Sequence, residues 1–157
     1  EKIVVTGKTP ADFVSRGITP MQSASLLLIL VAGISIYGIR RGKTLWGIDL
    51  ILFLVAGMAG CILAFLALFS QHPAVSPNYI LFVFHPFHLF CLPFMLSRVR
   101  KREISRYMLV DFAVLTLFIG LWTIIPQRIP PAVLPLALCL LICSANHVLL
   151  YYRQNNK

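Results

Sequence analysis

The stretch 69–89, FSQHPAVSPNYILFVFHPFHL, decides the fold because a short polar turn in it separates two long apolar runs. Asn78 ends the turn and is placed to cap the helix that follows. The second run then carries His85 and His88, which lie one helical turn apart and share a face. Ionisable residues inside an apolar run are candidate functional residues. We therefore expect function to centre on this turn and these histidines.

The composition is that of an integral membrane protein. Of 157 residues, 59% are hydrophobic and 12% are charged, and the mean hydropathy is +0.85. A soluble domain carries about 25% charged residues. Lipid offers no hydrogen bonds to the backbone, so each apolar run must satisfy its own as a helix. The length fits one domain.

Five apolar runs predict five transmembrane helices in an all-α, up-down bundle, because the turns between them are short. The predicted helices lie at about 21–39, 45–69, 79–96, 107–125 and 132–152. The second run exceeds the ~20 residues that a span requires. Pro86 and Pro93 should kink the third helix. Gly57 and Gly60 predict close helix packing in the second.

The net charge of +9 comes from Lys and Arg between the apolar runs, where they anchor helices at a membrane rather than bind nucleic acid. Ten of the 14 basic residues fall on one side of the bundle. The positive-inside rule places that side and the C-terminus in the cytoplasm. The N-terminus and the turns at 70–78 and 126–131 are then predicted to be periplasmic.

The domain organisation predicted is a periplasmic lead-in at residues 1–20, followed by a membrane domain at 21–157. Residue 1 is Glu, and no signal-peptide pattern precedes the first apolar run. We expect the lead-in to link the helices to an upstream domain.

The chain holds no complete catalytic constellation, and we predict no catalytic residue, metal or cofactor in it. The cysteines lie inside apolar runs and are expected to be small buried hydrophobes: Cys61, Cys91, Cys139 and Cys143. A metal or haem at the histidines of the third helix would need a ligand from another helix. His147, the other histidine within a span, is predicted to lie most of a bilayer away. Neutral histidines hydrogen-bonded between helices are the preferred interpretation.

Two acids lie a few residues past basic clusters. Asp49 is expected to pair with Lys43, and Asp111 with Arg106, at the cytoplasmic interface. We expect no acid near the middle of the membrane, which disfavours a proton-coupled transporter.

The order of four segments, GMAGC, FSQHPAVSPNY, FHPFHL and IIPQRIPPAVLPLAL, resembles the C-terminal five-helix membrane domain of Lnb, the lipoprotein N-acyltransferase family of Bacteroides and relatives. The resemblance covers about 19–153 and is most specific at the His72–Asn78 turn, at Pro86 and at Ile125–Gln127. It implies a periplasmic N-terminal domain with a cysteine-dependent active site, so the catalytic Cys and His lie upstream of this chain. The full enzyme adds a third acyl chain to the N-terminal cysteine of diacylated lipoproteins.

The function predicted is that of a multi-pass domain of the bacterial inner membrane. It anchors the periplasmic catalytic domain and helps to bind the phospholipid donor or the lipoprotein acyl chains. The predicted lipid contacts are His72, Asn78, His85 and His88. The expected partners are membrane lipids, the upstream domain and diacylated lipoproteins. Two alternatives stay open: a passive anchor or interaction module, and a small transporter or cofactor-binding membrane subunit.

Overall fold

The computed structural model describes residues 17–43, 46–69, 78–101, 103 and 105–155. These residues form five α-helices and one short 3-10 helix, with no β-strand among them. In chain order they are α1 (Pro20–Arg41), α2 (Trp46–Phe69), the 3-10 helix (Tyr79–Phe82), α3 (Phe87–Arg100), α4 (Arg106–Gly120) and α5 (Val133–Asn155). The all-α prediction is confirmed.

Four stretches of the described chain are long and apolar enough to cross a membrane: Pro20–Arg41, Trp46–Phe69, Tyr79–Arg98 and Val133–Arg153. The protein is therefore a multi-pass membrane protein. Helix α4 has 15 residues and is about 22 Å long at 1.5 Å per residue. That is less than the ~30 Å of a bilayer's hydrocarbon core. The span predicted at 107–125 is thus shorter as a helix than the sequence pattern suggests.

Helix α1 begins and ends at local signals. The Thr19 side chain accepts a hydrogen bond from the Gln22 backbone N–H at 3.2 Å, and the Gln22 side chain accepts one from the Thr19 backbone N–H at 2.9 Å. This capping box satisfies two backbone donors at the helix start. Gly42 ends the helix with a left-handed φ of 62°, which glycine adopts without steric cost.

The third apolar run is broken at Pro86. The 3-10 helix ends at Phe82 and α3 begins at Phe87, because proline lacks a backbone N–H and its ring clashes with the preceding helical turn. The kink predicted at Pro86 is therefore a complete interruption. Pro93 lies inside α3, which continues on both sides of it. His85 falls within the break.

Helix α2 packs directly on this break and on the first turn of α3 through two glycines. A Cβ added to Gly60 would lie 2.6 Å from the backbone carbon of His85, and one added to Gly57 would lie 2.6 Å from the backbone nitrogen of Leu89. No side chain fits at either position. The predicted close packing is confirmed, and it fixes the position of the break.

The surface and the core differ in the way expected of a protein covered by lipid. The core includes Phe53, Val83 and Leu115, each fully buried. Large apolar side chains are nevertheless exposed all along the helices, such as Leu68 at 79%. We call one end of the bundle the basic end, defined by the arginines at helix termini there: Arg40, Arg41, Arg98, Arg106 and Arg153.

Candidate functional site

A cluster of polar side chains lies inside the bundle, and we call it the central cluster. His85 and His88 come from the break and the start of α3, Tyr107 and Asp111 from α4, and Ser144 from α5. Ser144 is the twelfth of the 23 residues of α5. The cluster therefore lies midway along a spanning helix, in the middle of the predicted membrane.

His88 is fully buried, and both of its ring nitrogens have partners. Nε2 lies 2.8 Å from the Val83 carbonyl oxygen, and Nδ1 lies 2.5 Å from the Tyr107 hydroxyl. A carbonyl only accepts, so Nε2 carries the hydrogen and donates it. In the neutral ring Nδ1 is then the acceptor, and the Tyr107 hydroxyl donates to it. The expected hydrogen bond between helices is confirmed for His88.

Asp111 is buried and only half satisfied. The Ser144 hydroxyl donates to Asp111 Oδ2. Asp111 Oδ1 lies 3.8 Å from His85 Nε2 and 3.8 Å from His88 Nδ1, beyond hydrogen-bond range. Among the described residues, Asp111 Oδ1 and His85 Nδ1 are buried without a hydrogen-bond partner. An unsatisfied buried polar atom costs about 1–3 kcal/mol, and more if charged.

The two histidines stack on each other. Their ring centroids are 3.8 Å apart with 18° between the planes. The two side chains therefore lie together as predicted, although His85 is in the break and only His88 is on a helix. Phe53 of α2 contacts His88 edge-on at 5.1 Å between centroids. The His85 side chain is 19% exposed, whereas those of His88 and Asp111 are at 0%. His85 is therefore the member of the cluster with room to move.

The expected interface pairing of Asp111 with Arg106 is wrong, and so is the expected absence of an acid near mid-membrane. Asp111 contacts Ser144 and the two histidines instead. Helix α4 is short, so a residue five positions after its first already lies level with the middle of α5. The long Arg106 side chain can extend back toward the interface. A signal was present in the sequence: Asp111 interrupts the apolar run MLVDFAVLTL.

A possible ligand for the histidines does come from another helix, although it is not His147. His85, His88 and Asp111 each offer one donor atom, and these three atoms lie within 4.8 Å of one another. The third donor is a carboxylate of α4 and not a third histidine.

A family model described as the Lnb transmembrane domain matches residues 12–155 of this chain. The chain belongs to the Lnb transmembrane domain family. The resemblance drawn from the order of its segments is confirmed. No curated protein and no solved structure gives a match.

Two parts of the specific segments of this Lnb domain, Asn78 and Gln127, lie together at the end opposite the basic end. The Asn78 side chain accepts a hydrogen bond from the Ile80 backbone N–H at 3.2 Å, which confirms its predicted capping role. The Tyr79 backbone N–H donates to Gln127 Oε1 at 2.7 Å. The turn after α4 is thereby joined to the start of the third span. His72 lies outside the described residues.

Beside this junction the Lnb domain has an apolar groove of about 260 Å³ between the 3-10 helix and α4. No polar atom contributes to its exposed surface. We call it the outer groove, and it is lined by Tyr79, Phe82, Val114, Leu117, Phe118, Leu121 and Ile125. Its wall is open to the surroundings, since Phe82 is 54% exposed and Leu117 62%.

A second polar group lies nearer the basic end, and we call it the lower cluster. His147 Nε2 donates to Asp49 Oδ2 at 2.8 Å, and Asn146 Nδ2 donates to Ser35 Oγ at 2.6 Å. The predicted pairing of Asp49 with Lys43 is therefore wrong, because the histidine of α5 takes that place. Cys139 and Cys143 are buried, as expected, while Cys61 and Cys91 are half-buried.

Proposed function

We propose that this chain is the membrane domain of an Lnb-like lipoprotein N-acyltransferase of the bacterial inner membrane, and that its outer groove holds one acyl chain of the phospholipid donor. The observation that carries the proposal is a wholly apolar groove with polar residues at one end. In this account the acyl chain lies between the 3-10 helix and α4. The headgroup lies outward of it, near Asn78 and the preceding turn that contains His72.

The chemistry of the groove supports a hydrocarbon occupant. Only apolar atoms of its lining residues are exposed in the groove. A pocket with such walls favours an apolar ligand whose shape fits it. The hydrogen bonds of Asn78 with Ile80, and of Tyr79 with Gln127, fix the 3-10 helix that forms one wall. A fixed wall loses less entropy when the chain binds.

The predicted contacts divide under this proposal. Asn78 is at the polar end of the groove and stays a proposed headgroup contact together with His72. His88 is fully buried with both nitrogens engaged, so it supports the fold around the groove rather than touching lipid. His85 belongs to the central cluster. The expected partners are then membrane lipids, diacylated lipoproteins and a periplasmic domain that carries the catalytic Cys and His.

The test fills the groove in the full-length protein. Val114→Trp should lower photo-crosslinking to a phospholipid with a diazirine in its acyl chain several-fold, and should lower N-acylation of a diacylated lipoprotein. Val55→Trp is the matched control, because Val55 is 59% exposed on α2 and does not line the groove. A second arm uses a diazirine-labelled diacylated lipoprotein.

The outcomes separate the alternatives. Loss of crosslinking in the phospholipid arm alone supports the donor site. Loss in the lipoprotein arm alone overturns the proposed occupant. If Val114→Trp matches Val55→Trp in both arms and in activity at equal expression, the groove binds no substrate and the domain is a passive anchor. Full activity after replacement of the helices by an unrelated span would lead to the same conclusion.

A further inference from the structure

The central cluster contains two buried polar atoms that the protein itself leaves without partners. These are Asp111 Oδ1 and His85 Nδ1, with no hydrogen-bond partner among the described residues. Buried polar atoms in native proteins rarely lack a hydrogen-bond partner, and where protein groups supply none, a bound water or ion commonly does. The lower cluster has the same residue types but pairs them directly. A ligand at the central cluster would supply the partner that Asp111 Oδ1 lacks; the His85 nitrogen nearest to that oxygen is Nε2, at 3.8 Å.

The spacing of the donor atoms suits a single metal ion. Zinc binds imidazole nitrogen and carboxylate oxygen at about 2.0–2.2 Å, so two of its ligands in a tetrahedral site are roughly 3.4 Å apart and never much beyond 4 Å. Asp111 Oδ1 is 3.8 Å from a nitrogen of each histidine. The three donor atoms lie within 4.8 Å of one another. To direct its nitrogen at the same ion, the partly exposed His85 ring would have to leave its stack on His88.

The contacts around these atoms are those that orient metal ligands elsewhere. At metal sites the second nitrogen of a histidine usually donates to a carbonyl or carboxylate, and a ligating carboxylate is itself hydrogen-bonded. His88 Nε2 donates to the Val83 carbonyl, and Ser144 donates to Asp111 Oδ2. Asp111 Oδ1 is left without a partner, 3.8 Å from His88 Nδ1, whose lone pair accepts the Tyr107 hydroxyl and becomes a ligand only when that hydroxyl leaves it. The Tyr107 hydroxyl, now bonded to Nδ1, would turn away.

We propose that His85, His88 and Asp111 bind one divalent transition-metal ion through two imidazole nitrogens and one carboxylate oxygen. The ligand set is that of zinc sites with an open fourth position and of non-haem Fe(II) sites. The ion joins the break in the third span to α4. It also offsets the charge of a carboxylate buried in the membrane interior. The proposal does not depend on acyl-chain binding in the outer groove.

The test measures metal in the full-length protein, purified in detergent without a polyhistidine tag or chelator. After incubation with Zn²⁺ and removal of the excess, elemental analysis should give about one zinc ion per chain for the wild type. Asp111→Asn and His85→Gln should lose most of it. His85→Gln should fold, since His85 Nδ1 has no hydrogen-bond partner among the described residues and Nε2 is 3.8 Å from Asp111 Oδ1, beyond hydrogen-bond range. The matched control is His147→Ala, which removes the histidine of the lower cluster and should keep the zinc.

Thermal unfolding gives a second readout. Zn²⁺ should raise the melting temperature of the wild type and of His147→Ala, because a ligand that binds only the folded state stabilises it. It should not raise that of His85→Gln. A wild type that takes up no zinc, or an Asp111→Asn variant that takes up as much as the wild type, overturns the proposal. So does a His147→Ala variant that alone loses the metal.

Discussion

The central and lower clusters place the same residue types in opposite situations. In the lower cluster, one histidine and one aspartate meet at 2.8 Å and satisfy each other. In the central cluster, two histidines surround one aspartate at 3.8 Å, and a carboxylate oxygen is left over. A direct pair stabilises the contact between two helices. Three side chains that lie farther apart leave room for a ligand. A site is therefore indicated less by residue type than by the distances between side chains and by polar atoms that lack a hydrogen-bond partner.

The largest expected effect comes from Gly60, which packs against the backbone of His85 in the central cluster and makes no such contact with the lower cluster. Gly60→Leu places a side chain where a Cβ is already 2.6 Å from the His85 backbone, so we expect a loss of about 3 kcal/mol or more of stability, or no folded protein. Unfolding in mixed micelles measures it. Gly33→Leu on α1 is the control, because nothing lies within 4 Å of its Cβ position. Equal stability of the two variants would contradict the packing of α2 on the break.

Next in size is the coupling inside each cluster. A double-mutant cycle of Asp49→Ala and His147→Ala should give a coupling energy of about 1–2 kcal/mol, since each single change leaves a buried partner unpaired. The cycle of Asp111→Asn and His85→Gln, run in chelator, should give a much smaller coupling because no hydrogen bond joins the two side chains, whose polar atoms approach only to 3.8 Å. Couplings of the same size in chelator would remove the contrast between the clusters.

Tyr107→Phe should have opposite effects on the stability of the central cluster without metal and on its affinity for zinc. Loss of the hydroxyl leaves His88 Nδ1 without its donor, and we expect a cost of about 0.5–2 kcal/mol without metal. The same change frees that lone pair, so zinc should bind more tightly to the variant. Tyr37→Phe, at a 53% exposed position of α1, should change neither quantity. Weaker zinc binding in Tyr107→Phe would show that the hydroxyl is itself a ligand.

The smallest expected effect lies at the polar end of the outer groove, away from both clusters. Asn78→Ala removes the cap of the 3-10 helix and should cost about 1 kcal/mol of unfolding free energy. Asn78→Ser keeps a side-chain acceptor and should cost less. Zinc content should stay at the wild-type value in both. A loss of zinc in Asn78→Ala would mean that the groove and the central cluster are coupled.

Much of the fold follows from the sequence, because hydropathy and local signals act within one segment. The apolar composition of the run around Phe53 is enough to predict helix α2. The break at Pro86 is predictable because proline has no backbone N–H to donate. The spacing of His85 and His88 predicts that their side chains lie together, and they do, although the break removes His85 from the helix that the prediction assumed. The depth of Asp111 does not follow from the sequence, since it depends on how α4 packs against α5. Its short sequence distance from Arg106 predicts a position at the interface, whereas the contact with Ser144 of α5 holds Asp111 at the centre.

The most direct measurement tests whether the break in the third span places His85 next to Asp111. In a cysteine-free background, His85→Cys and Asp111→Cys are combined with a protease site at 101–105, and a short bis-methanethiosulfonate reagent is added in the membrane. We expect the two halves of the chain to stay joined after cleavage. The control pair, His147→Cys with Asp111→Cys, should give less of the cross-linked product. Separated halves for the first pair, with labelling of Asp111→Cys from the aqueous phase, would contradict the central cluster.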